Sequence, residues 1–280
     1  MKKTWIYLVV GGALALGSYN ARTQEPPPGP HDFIGPRMEL LGFGEMHGGK
    51  VVTGAPYSAV GVTESTQTLA DGNTINRKVQ STVYRDSQGR TRRETTFSGV
   101  GPLAASGQPR TLVMIHDPVA GTGYVLHADN KTAEQFPARP ANANKSGSNP
   151  EARFEAHIQQ EIANGTLKKE DLGTQTISGI SAQGTRYTHT IPAGQVGNAN
   201  AISVVSEQWY SPDLQVVVKS TRSDPRTGQV TYTLTNIQRT EPAASLFTVP
   251  SDYTVKQATA HRMHGGPGGP AGEVAPPPEP

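Results

Sequence analysis

His261 and His264 stand three residues apart, a spacing that can begin a metal site. A metal needs further ligands held in fixed geometry, and the Gly- and Pro-rich sequence around them offers none, so no metal site is expected. His116-Asp117 sets an imidazole beside a carboxylate, the pairing of general-base catalysis. Asp117-Pro118 also opens a turn. No Gly-x-Ser-x-Gly elbow accompanies the pair, and no Gly-x-x-x-x-Gly-Lys-Ser/Thr loop occurs, since Gly44 to Lys50 is followed by Val51, so a strand-end histidine beside a turn is the simpler reading. Glu45-Met46-His47 lies in a Gly-rich stretch and carries less still. No catalytic residue, no metal and no cofactor emerge, and the chain reads as a non-enzyme.

Two other groups of residues can bind rather than react. Arg77, Lys78, Arg85, Arg90, Arg92 and Arg93 gather on one expected hairpin. Arg85, Arg90 and Arg92 are candidates for an anionic surface or an acidic partner, against the alternative of a solvated face that blunts edge pairing. Trp209, Phe154, Ile158 and Ile162 are candidates to line an apolar cavity, against ordinary core packing. The chain has no cysteine. That excludes disulfides, thiolate metal sites and a cysteine nucleophile, and it excludes a lipobox. A net charge of +2, part of it from Lys2 and Lys3, gives no footprint for nucleic acid.

The elements that would position these residues are mostly strands. Lys2 and Lys3 precede an uncharged apolar run at 5–16, then small residues with cleavage between Gly17 and Ala21. This is the pattern of a Sec-type signal peptide, about a dozen apolar residues where a membrane span needs ~20. The implied location is periplasmic or secreted, with no transmembrane anchor after cleavage. Residues 22–49 form a Pro/Gly-rich linker. From residue 50 the texture becomes β-branched alternation punctuated by Asp, Asn, Gly and Pro. Strands are expected at 57–69, 74–85, 90–97, 111–116, 123–127, 131–136, 174–177, 180–191, 201–210, 215–220 and 229–239. Loops fall at 98–109 and 137–149. One helix is expected at 150–164, with Pro150 in its first turn, Phe154, Ile158 and Ile162 on one stripe, and Asn164-Gly165 as its stop. Strands without intervening helices exclude a parallel α/β sheet. Residues 257–280 read as a disordered Gly/Pro-rich tail.

The C-terminal stretch carries a recognisable pattern. Glu207-Gln208-Trp209-Tyr210-Ser211-Pro212-Asp213-Leu214 precedes Val216-Val217-Val218-Lys219, and Leu246-Phe247-Thr248-Val249-Pro250-Ser251-Asp252-Tyr253 closes the domain. Earlier, Tyr84-Arg85-Asp86-Ser87-Gln88-Gly89-Arg90 and Ile115-His116-Asp117-Pro118 resemble further hairpins of the same family. The chain resembles the LolA/LolB-like superfamily of periplasmic lipoprotein carriers and their relatives over residues 55–256. The resemblance implies a mainly β fold: a strongly curved antiparallel sheet, a half-open barrel, with one or few helices on its concave side, spanning 50–256. Only one clear helix is visible here, where the carriers have several. The implied function is an exported, non-catalytic envelope protein binding a lipid or lipoprotein acyl chain in the sheet cavity. The alternative is a structural or protein-interaction module with a closed core, whose partner is another envelope protein. A continuous apolar cavity distinguishes the first from the second.

Overall fold

The computed structural model describes residues 51–97, 110–137 and 150–258. The expected signal peptide and linker, the expected tail beyond residue 258, the loops at 98–109 and 138–149, and the histidines at 47, 261 and 264 lie outside the described residues, while Gln257, expected to open the tail, ends β12. The elements are β1 (Tyr57–Thr68), β2 (Thr74–Arg85), β3 (Thr91–Phe97), β4 (Arg110–Asp117), β5 (Thr122–His127), β6 (Thr132–Pro137), α1 (Pro150–Ala163), β7 (Leu167–Ile177), β8 (Ile180–Ile191), β9 (Ile202–Ser211), β10 (Val216–Asp224), β11 (Gly228–Gln238), a 3-10 turn (Ala244–Phe247) and β12 (Thr254–Gln257). No helix among them is long and apolar enough to cross a membrane.

The twelve strands among the described residues form one open sheet, ordered β12-β6-β5-β4-β3-β2-β1-β11-β10-β9-β8-β7. Two hairpin meanders, β1–β6 and β7–β11, are joined where β1 pairs with β11. The fold class is mainly β, as expected, and every pairing but one is antiparallel. The exception is β12, a four-residue strand that joins β6 in parallel and was not expected. Its four residues are all exposed, so no alternation marks it. Strand β7 begins at Leu167, seven residues before the expected start at 174. Four consecutive charges, Lys168 to Asp171, hide its period, and an edge strand has little need of an apolar face.

The sheet is strongly curled. Neighbouring strands lie ~4.8 Å apart, so three ladders separate residues by about 14 Å in a flat sheet. Yet Ser178, in the β7–β8 turn, donates its hydroxyl to the Leu234 carbonyl of β11 at 2.7 Å. Arg85 of β2 likewise donates to the Leu214 carbonyl in the β9–β10 turn. The curl is filled by Tyr57, Ala59, Val83, Ile180, Ala182, Leu214, Val216, Val218, Tyr232 and Leu234 in one cluster. Register places Ala59, Val83 and Arg93 on one face of the sheet, hereafter inner. By the same count Val113 and Ile115 lie on the outer face. There they form a second cluster with Leu126 and Ala133, covered by Tyr124, Val249 and Tyr253. The closing Leu-Phe-x-Val-Pro pattern is thus a strap, its Phe247 only 3% exposed.

Turn chemistry sets the hairpins. Asp117 Oδ1 accepts from the backbone N–H groups of Val119 and Ala120, both at 2.9 Å. Asp224 does more, because it is buried. Its Oδ1 accepts from Arg226 N and Nε, its Oδ2 from Arg226 Nη2 at 2.7 Å, and Arg222 Nη2 stands 3.5 Å away. Burial alone would raise this carboxyl, but the Arg226 hydrogen bonds and the charges of Arg226 and Arg222 outweigh it and hold it below the usual carboxylate value. A depressed carboxylate stabilises the fold above its unfolded pKa, and the contribution fades as pH falls through the folded value. Asp224→Asn is expected to cost about 1.5–3 kcal/mol at neutral pH. The gap to the parent should close as pH drops below ~4, read by urea melts across pH.

Candidate functional site

The inner face is where a curved sheet can hold a ligand, so its lining decides what the protein can do. Near the curl it is apolar and packed. Across the middle strands it is polar: Thr63, Ser81, Arg93, Thr95 and Ser206 are all buried. Arg93 Nη1 donates to Ser81 Oγ at 2.9 Å. Each such group must meet a partner when it leaves water, so a row of them suits hydrogen bonding better than a greasy lining. On β4–β6 the same face offers half-buried Leu112, Met114, Val125 and Phe136.

Trp209, expected either to line a cavity or to be core, packs on the apolar cluster. Its six-membered ring lies directly over Gly184 on the neighbouring strand β8. A side chain added at Gly184 would meet Cζ3 at 2.7 Å and the Leu172 Cβ at 2.8 Å. The glycine is there for this close approach, at an ordinary extended backbone. Gly184→Ala is expected to destabilise the fold by about 1–3 kcal/mol through overpacking. In a Trp209→Leu background the penalty should shrink, a coupling measurable by a double-mutant cycle in chemical denaturation.

Helix α1 packs against β7. Ile158 is buried at 2% exposure and Ile162 is half-buried, while the Phe154 side chain lies outside the described residues. Glu161 Oε1 stands 3.7 Å from His157 Nε2 and 3.6 Å from His189 Nε2. His189 shares its face with Leu167 and Val204, the side of β7–β9 on which α1 packs. Both separations exceed a hydrogen bond, and no group of three His, Asp or Glu among the described residues is arranged to hold a metal.

The three candidate arginines are turned to partners inside the protein. Arg85 is 6% exposed, donates Nε and Nη2 to the Ala55 carbonyl, and stacks 4.8 Å from the Tyr57 ring centre. Arg90 Nε binds Asp86 Oδ2 at 2.6 Å and its guanidinium lies 5.2 Å over Phe247. Arg92 holds Glu94 at 2.7 Å and the Leu246 carbonyl at 3.0 Å. Together Arg90 and Arg92 dock the C-terminal strap. Alternation in the hairpin cannot reveal this, because the strap arrives from some 150 residues away. At His116, burial pulls the imidazole below its usual value, with Asp117 opposing. The Asp117 carboxylate is occupied by its turn, so the pair is a strand end and a turn opener.

One feature the sequence reading missed is a depression of about 320 Å³ at the β7–β8 edge, lined by Lys169, Asp171, Thr174, Gln183 and Thr185 around Gly173 and Gly184. Its one sequence signal is a glycine in each of two adjacent strands.

The fold and this lining define an open, strongly curved, mainly antiparallel sheet with a helix packed on β7, without a catalytic constellation among the described residues. No protein-family model matches the sequence, and no curated protein matches it. Several solved structures are similar in form. The MucA/MucB complex of Pseudomonas aeruginosa matches at TM-score 0.37 and 10% identity, covering 73% of this chain and 59% of that one. LprF from Mycobacterium bovis matches at TM-score 0.30 and 15% identity over 72% and 91% of the two chains. A LolA superfamily protein from Nitrosomonas europaea, of the superfamily the sequence motifs resemble, matches at TM-score 0.28 and 7% identity over 75% and 97%. The chain thus spans about three-fifths of the first of these. At such scores the likeness carries neither a family assignment nor an activity.

Proposed function

We propose that the chain is an exported, non-catalytic binding protein of the cell envelope, and that it holds a partner on a packed sheet rather than carrying an acyl chain inside a hollow one. The observation that supports this is the inner face itself. Its apolar end is filled by ten buried residues with Trp209 packed against them, and its middle is lined by buried Thr, Ser and Arg. An acyl chain gains ~0.8 kcal/mol per buried CH₂ only along continuous apolar surface. The envelope address rests on Lys2, Lys3 and the apolar run at 5–16.

A second reading, lipid carriage, is favoured by one observation: Leu112, Met114, Val125 and Phe136 form a half-buried apolar patch on the inner side of β4–β6. Native mass spectrometry of the chain gently extracted from an expressing bacterial envelope separates the two. The expected result is a chain shortened at 17–21 and free of lipid, cross-linked in the cell to a protein partner. Repeated recovery with bound diacyl lipid would overturn the packed-sheet reading in favour of the second.

A further inference from the structure

Strand β7 carries the same charge pair twice, each time two residues apart, on opposite faces. Lys168 and Glu170 close on each other at 3.0 Å. Lys169 and Asp171 have the same charges and spacing and form no ion pair with any described residue. The Lys169 ammonium instead rests 5.7 Å over the Tyr187 ring, and Asp171 Oδ1 accepts from the Gly173 N–H at 2.8 Å. That leaves the ammonium and Oδ2 without an ion partner among the described residues, and both side chains line the open, polar depression of about 320 Å³.

The backbone is shaped around this gap. The β7–β8 register shifts between Asp171 and Gly173, a bulge that leaves Leu172 out of the ladder. Gly173 sits at φ +73, where a side chain is strained, and a Cβ there would meet nothing within 4 Å. The bulge therefore opens space instead of filling it. Thr174, Gln183 and Thr185 line the rest with neutral donors and acceptors.

We propose that this depression binds a small zwitterionic group, its anion on Lys169, its ammonium on Asp171 Oδ2, and its remaining oxygens on Thr174, Gln183 and Thr185. A ligand with a single charge leaves one of the two protein charges unmatched. The chemistry is that of phosphoethanolamine, whether as a lipid headgroup or as a free molecule. The site lies at the β7–β8 edge and is lined from both strands, so the proposal does not rest on whether the sheet interior is packed.

The test is an amide NMR titration of the isotopically labelled full chain with O-phosphoethanolamine, with ethanolamine and inorganic phosphate as singly charged controls. Saturable shifts confined to 169–174 and 183–185 are expected, weaker with either control. Lys169→Gln and Asp171→Asn should each weaken binding by roughly two- to fivefold, the scale of an exposed charge contact. Asp171→Asn keeps the oxygen that holds Gly173, and unchanged spectra elsewhere report an intact fold. Flotation with phosphatidylethanolamine vesicles but not phosphatidylglycerol vesicles assigns the group to a lipid headgroup; binding of the free zwitterion without flotation assigns it to a soluble molecule. Absent or non-saturable shifts, equal responses to all three probes, or unaltered affinity in both variants would overturn the proposal.

Discussion

One buried guanidinium ties distant strands of the curled sheet to each other. Arg85 closes β2, gives its hydrogens to the Ala55 and Leu214 carbonyls, and lies on the ring of Tyr57. The two carbonyls come from opposite halves of the chain. A charge this deeply buried is tolerable only when hydrogen bonds replace its lost water, and both carbonyls are in reach only if the sheet curls. The Ser178 hydroxyl on the Leu234 carbonyl repeats the constraint across another three ladders. Between these polar ties sits the main apolar cluster. Burial supplies most of the driving force, and the directional bonds select the curl among the ways a flexible sheet could cover the same apolar area.

The second cluster solves a different problem. With β4 and β5 inside the sheet, Val113, Ile115 and Leu126 on its outer side would face water. The chain returns from β11 and lays Phe247, Val249 and Tyr253 over the β3–β6 region, with Arg90 and Arg92 as its anchors. Parallel addition of β12 then pairs the free edge of β6. That edge ends in a strand of four residues, and the opposite edge carries the charges and bulge of β7. Both are common ways of discouraging edge-to-edge association. The same bulge opens the polar depression, so protection of the edge and the proposed site share one local irregularity.

The buried polar row of Thr63, Ser81, Arg93, Thr95 and Ser206 turns the interior away from a purely apolar design. It is carried by β1, β2 and β3, with Ser206 on β9. A surface of this kind specifies geometry, because every hydrogen-bonding group must find its partner. It fits a protein whose inner face is a scaffold and whose recognition happens at rims and edges.

Much of the fold was legible along the chain. Sequence pattern located eleven of the twelve described strands, β7 only over its last four residues; Val230, Tyr232 and Leu234 in β11 are the clearest case. The Asp-Pro openings predicted turns that the Asp117 and Asp224 carboxylates indeed close. Helix α1 was marked by Pro150, Ile158, Ile162 and Asn164-Gly165. These are local properties, set by propensity, period and turn chemistry within a few residues. Tertiary structure alone decided which arginines are buried, that Trp209 rests on Gly184, and that Lys169 and Asp171 stay open while Lys168 and Glu170 close. The arginine contacts depend on segments far apart in the chain and the Trp209 contact on strand pairing, while the two charge pairs of β7 differ only in what each face meets, and no local period encodes any of these.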